Sequence, residues 1–314
     1  MNLLSSLRYL VALNEHKHFG RAAQACHITQ PALSNALRAL ETEFNVSIVK
    51  RDRTYVGLTP EGERVLASAQ MMLREHAVLQ QDLKSETHLP NGPLRLGAVP
   101  TAMPILTRFA AMLQSRHRGI VPVVLSMSSA DLDKGLADLS LDLALGYTER
   151  LVRRDSRLAI YPQYTEHYFL LRRSPIPNAP GLVIGPTANW ADIAKLPLCL
   201  LTPDMHNRTI VDAALTTAGL AVHPAMETNS ILTLALAVVA GTVSSVLPGA
   251  LVDAVRGYGG LEALTLVKPE VRTPIGFISH SGSKPSRALE AALVLVQDSA
   301  WLHEVAAHSG LLAA

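Results

Sequence analysis

The chain has 314 residues, of which 48% are hydrophobic and 17% charged, with a formal net charge of +2. That length exceeds what one hydrophobic core ordinarily spans and divides into two or three units. The composition excludes a disordered or strongly polycationic protein, and two cysteines are too few for a disulfide framework or a zinc site.

The first stretch, Met1 to Glu15, is apolar in character. Arg8 interrupts it and no small-residue cleavage site follows, so it reads as a helix of a cytoplasmic protein rather than an export signal. Leu4, Leu7, Tyr9, Leu10 and Leu13 supply its packing surface. From His18 to Glu43 the residues ask for two further helices set nearly at right angles. Phe19, Ala22, Ala23 and Cys26 recur at the three-to-four-residue spacing of one face, and the paired alanines let another helix approach closely. After a bend at His27-Ile28, Thr29 is placed to cap a new helix near Gln30, and Pro31 falls in its first turn, where a missing N–H costs least. Leu33, Ala36, Leu37 and Leu40 form the buried stripe of that helix, which leaves Gln30, Ser34, Asn35 and Arg38 facing out. Such a helix suits the major groove of duplex DNA, where each base pair shows a distinct donor and acceptor pattern. An ordinary amphipathic helix with a solvated polar face has the same periodicity.

Next, Val46 to Val49 and Tyr55 to Leu58 pair as a small hairpin, a wing with Lys50, Arg51, Asp52 and Arg53 at or near its tip. Basic residues there meet phosphates or enter the minor groove, contacts that position a protein without reading most of the sequence. Before Pro60, Arg8, Lys17, Arg21, Arg38, Lys50, Arg51 and Arg53 outnumber Glu15, Glu41, Glu43 and Asp52, so a positive patch is local even though the whole chain is nearly neutral.

Thr59-Pro60-Glu61-Gly62-Glu63 then opens a long helix, with a cap, a proline in the first turn and acids at the positive end of the dipole. It runs without a breaker to about Ser85. Val65, Met72 and Leu79 fall seven apart and Ala69, His76 and Leu83 hold the companion positions, an imperfect heptad seam. Pairing with a second copy and packing on its own domain both fit that pattern.

These residues resemble the winged helix-turn-helix of LysR-type transcriptional regulators. The family pattern is an aromatic followed by two alanines, a gap, QPALS and a distal LE. It is met by Phe19, Ala22-Ala23, Gln30-Pro31-Ala32-Leu33-Ser34 and Leu40-Glu41, and the wing signature by Arg51, Leu58-Thr59 and Gly62. Asn45 stands where the family usually has glycine after the recognition helix, and Val49 where it usually has phenylalanine. Asparagine tolerates the left-handed backbone that glycine would supply. The resemblance implies that Gln30, Pro31, Ser34, Asn35, Arg38, Arg51 and Arg53 contact double-stranded promoter DNA carrying an interrupted dyad. It implies a homodimer through the linker helix, assembling further into a homotetramer, with half-sites roughly 34 Å, one DNA turn, or a multiple apart.

His88-Leu-Pro-Asn-Gly-Pro93 is rich in turn formers and closes that region. The expected units are residues 1–59, a winged helix-turn-helix; 60–88, the linker helix; and 92–314, an α/β domain. Strands are expected at Leu94 to Val99, Val121 to Met127, Leu141 to Gly146, Leu198 to Leu201, Val243 to Leu247 and Ile275 to Ser279, mostly as continuous apolar runs typical of parallel sheets buried on both faces. Helices are expected at about 103 to 117, 129 to 138, 207 to 218, 229 to 240 and 285 to 307. Ile231 to Val252 carries no charge, but Gly241, Ser244, Ser245, Pro248 and Gly249 break it, so it reads as helix, turn and strand rather than as a membrane span. This part resembles the LysR-type effector domain, two Rossmann-like subdomains similar to periplasmic binding proteins with a small molecule between them.

In open α/β sheets, ligands bind beyond the carboxyl ends of strands, often at helix N-termini that favour anions. Those ends carry Pro100-Thr101, Ser128-Ser129 and the run from Thr202 to Arg208. By position Thr101, Ser129 and His206 match places where the family contacts effector, with Pro100, Ser128, Thr202, Arg208 and Thr228 as further candidates. Hydroxyls, helix N-termini, His206 and Arg208 suggest a small anionic or carboxylate effector. The alternatives are structural: Thr101 and Ser129 as helix caps, Arg208 paired with Asp212 one turn on, and His206 as an exposed loop residue. No metal or cofactor is implied.

A rival reading is an α/β enzyme with an appended DNA-binding module, but no GxSxG elbow, P-loop, helix-opening GxGxxG or HExxH is present. His280-Ser281-Gly282-Ser283 reads as a loop. A constitutive architectural DNA-binding protein would leave the large second domain without a purpose. The HFxRAAxxCHxxQP wording is closest to a branch of the family that senses peroxide through two cysteines of the effector domain; here only Cys199 lies in that domain.

Overall fold

The computed structural model describes residues 2–51, 55–84, 89–149, 157–176, 181–282 and 284–312. The chain forms two compact units, Met1–His88 and Leu89–Ala314.

The first unit is built from α1 (Leu3–His16), α2 (Phe19–Ala25), α3 (Gln30–Phe44), the hairpin strands β1 (Val49–Arg51) and β2 (Tyr55–Leu58), and α4 (Pro60–Lys84). Each helix starts on a side-chain cap: Asn2 accepts from Ser5, Thr29 from Ala32 and Thr59 from Gly62, satisfying first-turn N–H groups that have no intrahelical partner. The cap of α2 is less ordinary, with His18 Nδ1 accepting from Gly20 and Arg21. Helix α3 ends at Asn45, which adopts the left-handed conformation expected of it, with φ 51° and ψ 40°. Leu7, Leu10 and Leu13 of α1, Ala22 and Ala23 of α2, and Leu33, Leu37 and Leu40 of α3 close one core with Ile48, Val49, Leu58 and Ala69. Burying each leucine contributes about 1.5–3 kcal/mol.

Two details fix the wing to that core. The Glu41 carboxylate accepts from the backbone N–H groups of Ile48 (2.9 Å) and Val49 (3.1 Å), so the distal LE of the motif anchors the start of β1. Gly62 has no room for a side chain, because a Cβ there would stand 2.1 Å from the Ile48 carbonyl oxygen. In α4, Ala69 packs into the core, whereas Met72, Leu79 and Leu83 are exposed.

The second unit runs β3 (Gly92–Ala98), a 3₁₀ turn (Pro100–Ala102), α5 (Met103–Arg116), β4 (Ile120–Ser126), α6 (Ser129–Ala137), β5 (Leu143–Tyr147), β6 (Leu158–Arg173), β7 (Leu182–Ile184), β8 (Ala188–Asn189) and α7 (Trp190–Ile193). It continues with β9 (Leu198–Leu201), α8 (His206–Thr217), β10 (Met226–Thr228), α9 (Ile231–Val239), β11 (Ser244–Pro248), α10 (Gly249–Ala254), β12 (Leu261–Val267), β13 (Arg272–His280), α11 (Arg287–Val296) and α12 (Ser299–Ala307). β3 pairs in parallel with β4 and β5, and β9 in parallel with β10 and β11, which gives two α/β subdomains. They share β6. Its first part, Leu158 to His167, pairs antiparallel with β13, and its second, from Tyr168 on, pairs antiparallel with β11 and β12.

Alternate residues of β6 and β9 enter different cores. Phe169, Leu171, Cys199 and Leu201 face one side, and Tyr168, Leu170, Leu198 and Leu200 the other, as a strand's period of two requires when both faces are covered. Among the described residues no helix is long and apolar enough to cross a membrane.

Two expectations need correcting. The stretch 285–307 is two helices rather than one, because Asp298 accepts from Ala300 and Trp301 and starts α12 afresh. The sheet is mixed rather than mostly parallel, since the long β6, which mixes polar and apolar residues and was not recognised as a strand, lies antiparallel to all its neighbours.

Candidate DNA interface and effector cleft

Helix α3 divides cleanly by exposure. Leu33, Leu37 and Leu40 are fully buried, while Gln30, Pro31, Asn35 and Arg38 are exposed and Ser34 half-buried. The 3.6-residue period turns the apolar stripe inward and leaves amide, hydroxyl and guanidinium groups of short to moderate reach on the opposite side. Ala36, assigned to the buried stripe, is half-buried at its margin. Lys50 is exposed on β1. Arg51 closes that strand, and Arg53 lies outside the described residues.

In the second unit a cleft lies between the two subdomains, lined by Pro100 and Thr101 of the 3₁₀ turn, Ser128 and Ser129 at the start of α6, Tyr147 at the end of β5, and Met205, His206 and Asn207 at the start of α8. Three segments that begin helices therefore meet at one place, where free N–H groups favour electronegative atoms. About 10 Å³ is open to a water-sized molecule, room for roughly one water. No arginine, lysine, aspartate or glutamate lines it.

Five of the eight candidates chosen from sequence, Pro100, Thr101, Ser128, Ser129 and His206, come together in this cleft. Thr101 is buried, with Oγ1 3.1 Å from the Tyr147 hydroxyl, and the His206 ring meets Tyr147 edge to face at 4.7 Å. Ser128 also caps α6, accepting from the Asp131 N–H. The other three do not line it. Thr228 Oγ1 accepts from the Ser230 N–H, and Thr202 Oγ1 is buried without a hydrogen-bond partner. The Arg208 guanidinium is committed elsewhere, to Asp212 (2.8 Å), Glu227 (2.6 Å) and the Leu201 carbonyl (2.7 Å). The ion pair with Asp212, one of the two readings open for Arg208, is thus formed, and the charge assigned to the cleft on its account is absent.

Sequence reasoning missed Tyr147, Asn207 and Glu166. Tyr147 ends a strand read only for its apolar run, and Asn207 stood unremarked between two basic residues. Glu166 lies on the unrecognised β6. Its side chain is completely buried, Oε2 accepts from the Tyr168 hydroxyl at 3.2 Å, and Oε1 has no hydrogen-bond partner. Burial raises its pKa to about 8. The Nδ2 of Asn207 and the hydroxyls of Ser129 and Tyr164 are likewise buried without a hydrogen bond. Polar atoms left this way cost about 1–3 kcal/mol each unless a ligand or water meets them.

Both thiols are poor nucleophiles. Burial pushes Cys199 up on β9, and burial followed by Glu15 pushes Cys26 up in the first unit. Neither lines the cleft. Among the described residues no three His, Cys, Asp or Glu side chains gather where a metal would need them.

Comparison with known proteins places both units. Residues 4–63 match the family described as bacterial regulatory helix-turn-helix protein, lysR family, and residues 87–301 match the LysR substrate binding domain. The chain is 30% identical over 281 residues to the DNA-binding transcriptional dual regulator OxyR of Escherichia coli K12, covering 89% of this chain and 90% of that protein. Full-length OxyR from Pseudomonas aeruginosa, solved as a cysteine-to-aspartate variant, superposes with a TM-score of 0.66 at 25% identity over 92% of this chain and 95% of that one. CbnR in complex with its target DNA shares the fold, with a TM-score of 0.60 at 19% identity over 93% of this chain and 99% of that one. Its relatives are regulators rather than enzymes, and the chain belongs to the LysR family of ligand-responsive, DNA-binding transcriptional regulators.

Proposed function

We propose that α3 enters the major groove of promoter DNA in the cytoplasm, with Gln30, Ser34, Asn35 and Arg38 reading base edges, Pro31 starting the helix against the backbone, and Arg51 and Arg53 of the wing meeting phosphates. Residues 1–59 form the reading head, residues 60–88 the dimerising linker and residues 92–314 the effector domain. The observation that carries the reading is the split of α3 into a sealed apolar stripe and an exposed polar face. Exposed Met72, Leu79 and Leu83, spaced along α4, support pairing of that helix with a second copy. Two recognition helices are then available to an interrupted dyad, and a tetramer places two such pairs on one promoter.

A small effector occupies the cleft and favours one arrangement of the oligomer; a difference of about 2–3 kcal/mol between arrangements is enough to switch it. Pro100, Thr101, Ser128, Ser129 and His206 hold it, with Thr202, Arg208 and Thr228 acting from behind the cleft wall. Helix starts and the unbonded Asn207 amide support an effector that brings acceptor oxygens, as a carboxylate or carbonyl does. Several relatives are named as hydrogen peroxide-inducible genes activators. For this chain, buried Cys199 and a cleft without thiols support reversible binding rather than cysteine oxidation.

Fluorescence anisotropy on the full chain tests the DNA half. With Arg38→Ala, affinity for the specific site falls by about 1–3 kcal/mol and discrimination at one base pair relaxes. Equal losses on specific and random DNA for substitutions at Gln30, Asn35 and Arg38 would remove direct readout.

A further inference from the structure

Asn207 is the part of the cleft wall that the fold itself leaves unsatisfied. The residue is 6% exposed and lines the cleft, yet its Nδ2 has no hydrogen-bond partner. It belongs to α8, in the subdomain of β9. The Ser129 hydroxyl of α6, in the subdomain of β3, lines the same cleft and is likewise buried and unbonded. An amide in this position gives up its water on folding and receives no partner in return, so it lowers the stability of the free domain. A ligand that accepts from it reverses that loss.

The start of α8 adds to the same demand. Helix α6 opens on a cap, with Ser128 accepting from the Asp131 N–H, whereas α8, 12 residues long, opens at Met205 without a side-chain cap. The positive end of the α8 dipole and the Asn207 amide therefore both favour an electronegative atom at one point in the cleft. The Thr101 and Tyr147 hydroxyls, 3.1 Å apart, bond with one another, and the Tyr147 ring meets His206 edge to face. Those three residues shape the wall, while Asn207 and Ser129 hold the unused hydrogen-bonding capacity.

Room and charge decide which kind of acceptor fits. About 10 Å³ is open, space for roughly one water, so a single oxygen enters where two held side by side do not. No arginine or lysine lines the cleft, and Arg208, next along α8, directs its guanidinium to Asp212, Glu227 and the Leu201 carbonyl. A carboxylate would bring a full charge to a site without a cation, and a helix end answers with only about half a unit charge. A carbonyl oxygen brings no net charge and two lone pairs, one for the Asn207 amide and one for the Ser129 hydroxyl.

We propose that Asn207 is the specificity-determining residue of the cleft, its amide selecting an uncharged effector that presents a single carbonyl oxygen, with the Ser129 hydroxyl and the uncapped start of α8 as its further partners. The inference rests on the cleft being the effector site, and it narrows the effector from oxygen acceptors in general to neutral ones.

The test uses the full chain and two minimal probes of equal size, acetone and acetate, which differ in charge. Binding is read from saturation transfer to the probe methyl protons, titrated to a dissociation constant. Acetone binds the wild type about tenfold more tightly than acetate, and Asn207→Leu, which keeps the shape and loses the donor, weakens acetone about tenfold, as loss of one hydrogen bond in a closed site does. Asn207→Asp, an acceptor only, loses acetone as well. Without probe, Asn207→Leu melts no earlier than the wild type, whereas a residue kept for structure alone would lower the melting temperature on replacement. Acetate bound as tightly as acetone, acetone affinity unchanged in Asn207→Leu, or early melting of that variant overturns the proposal while leaving the cleft as a site. Saturable transfer to neither probe means that the cleft holds one ordered water only, and removes the site and the proposal together. Should Asn207→Leu fail to fold, the wild-type ratio of acetone to acetate and the Asn207→Asp titration carry the same decision.

Discussion

The two functional regions of this regulator use polar residues in opposite ways. On α3 they stand in water, so each is satisfied by solvent until DNA replaces it, and the helix folds whether or not they are present. Around the cleft Thr101 and Asn207 are buried and Ser128, Ser129 and His206 half-buried, the Asn207 amide and the Ser129 hydroxyl have no hydrogen-bond partner, and Thr101 depends on Tyr147, 46 positions along the chain. The contrast teaches that the reading head separates stability from specificity, while the effector cleft couples them. If α3 reads DNA and the cleft holds the effector as proposed, changing an α3 polar residue should alter DNA selection with little effect on stability, and changing the cleft should alter stability and ligand selection together.

The sharpest way to break that separation is to attack the scaffold of the reading head. Gly62→Ala drives a methyl group into the Ile48 carbonyl, and overpacking of this severity costs about 3 kcal/mol. Thermal unfolding should show the first unit melting earlier, with loss of binding to all DNA sequences; an unchanged melting profile would mean that the wing and α4 yield easily. Next in size, Arg208→Ala removes the donor to the Leu201 carbonyl and to two carboxylates. Those carboxylates are nearly half exposed, so the loss is discounted to about 2 kcal/mol, read by urea unfolding of the second unit with DNA affinity retained.

The reading head itself should respond the other way. Lys50→Ala leaves the melting temperature within about 0.5 kcal/mol of wild type, weakens specific and random DNA alike, and lowers the salt slope by about one, measured from anisotropy against salt concentration.

The buried carboxyl of β6 gives the second unit a pH signature. Glu166 holds its proton up to about pH 8, whereas an ordinary glutamate releases it near 4.5, so its contribution to stability is complete below the lower value and lost as pH rises through the higher one. Thermal unfolding should therefore show wild type losing stability between about pH 4.5 and pH 8 relative to Glu166→Gln, with no further loss above; parallel curves would show that Glu166 ionises as freely folded as unfolded. The smallest effect tests the left-handed end of α3. Asn45→Gly should stabilise the first unit by about 0.5 kcal/mol, since glycine meets no steric penalty at φ 51°.

The sequence by itself determined the reading head, because a helix face is set by residues three and four apart and a cap by its immediate neighbours. Leu33, Leu37 and Leu40 could only be buried together, and Thr29, Asn45 and Thr59 took the terminal roles their side chains suit. For the cleft, local signals identified helix starts such as Pro100-Thr101, Ser128-Ser129 and His206, without saying which atoms face one another. Only the tertiary structure decided that Arg208 is spoken for by Glu227 and Asp212, that Tyr147 meets both Thr101 and His206, and that Glu166 is buried on a strand shared by both subdomains. The physical reason is distance along the chain: hydrogen bonds between residues dozens of positions apart, and the loss of water that gives them their strength, exist only once the sheet is assembled.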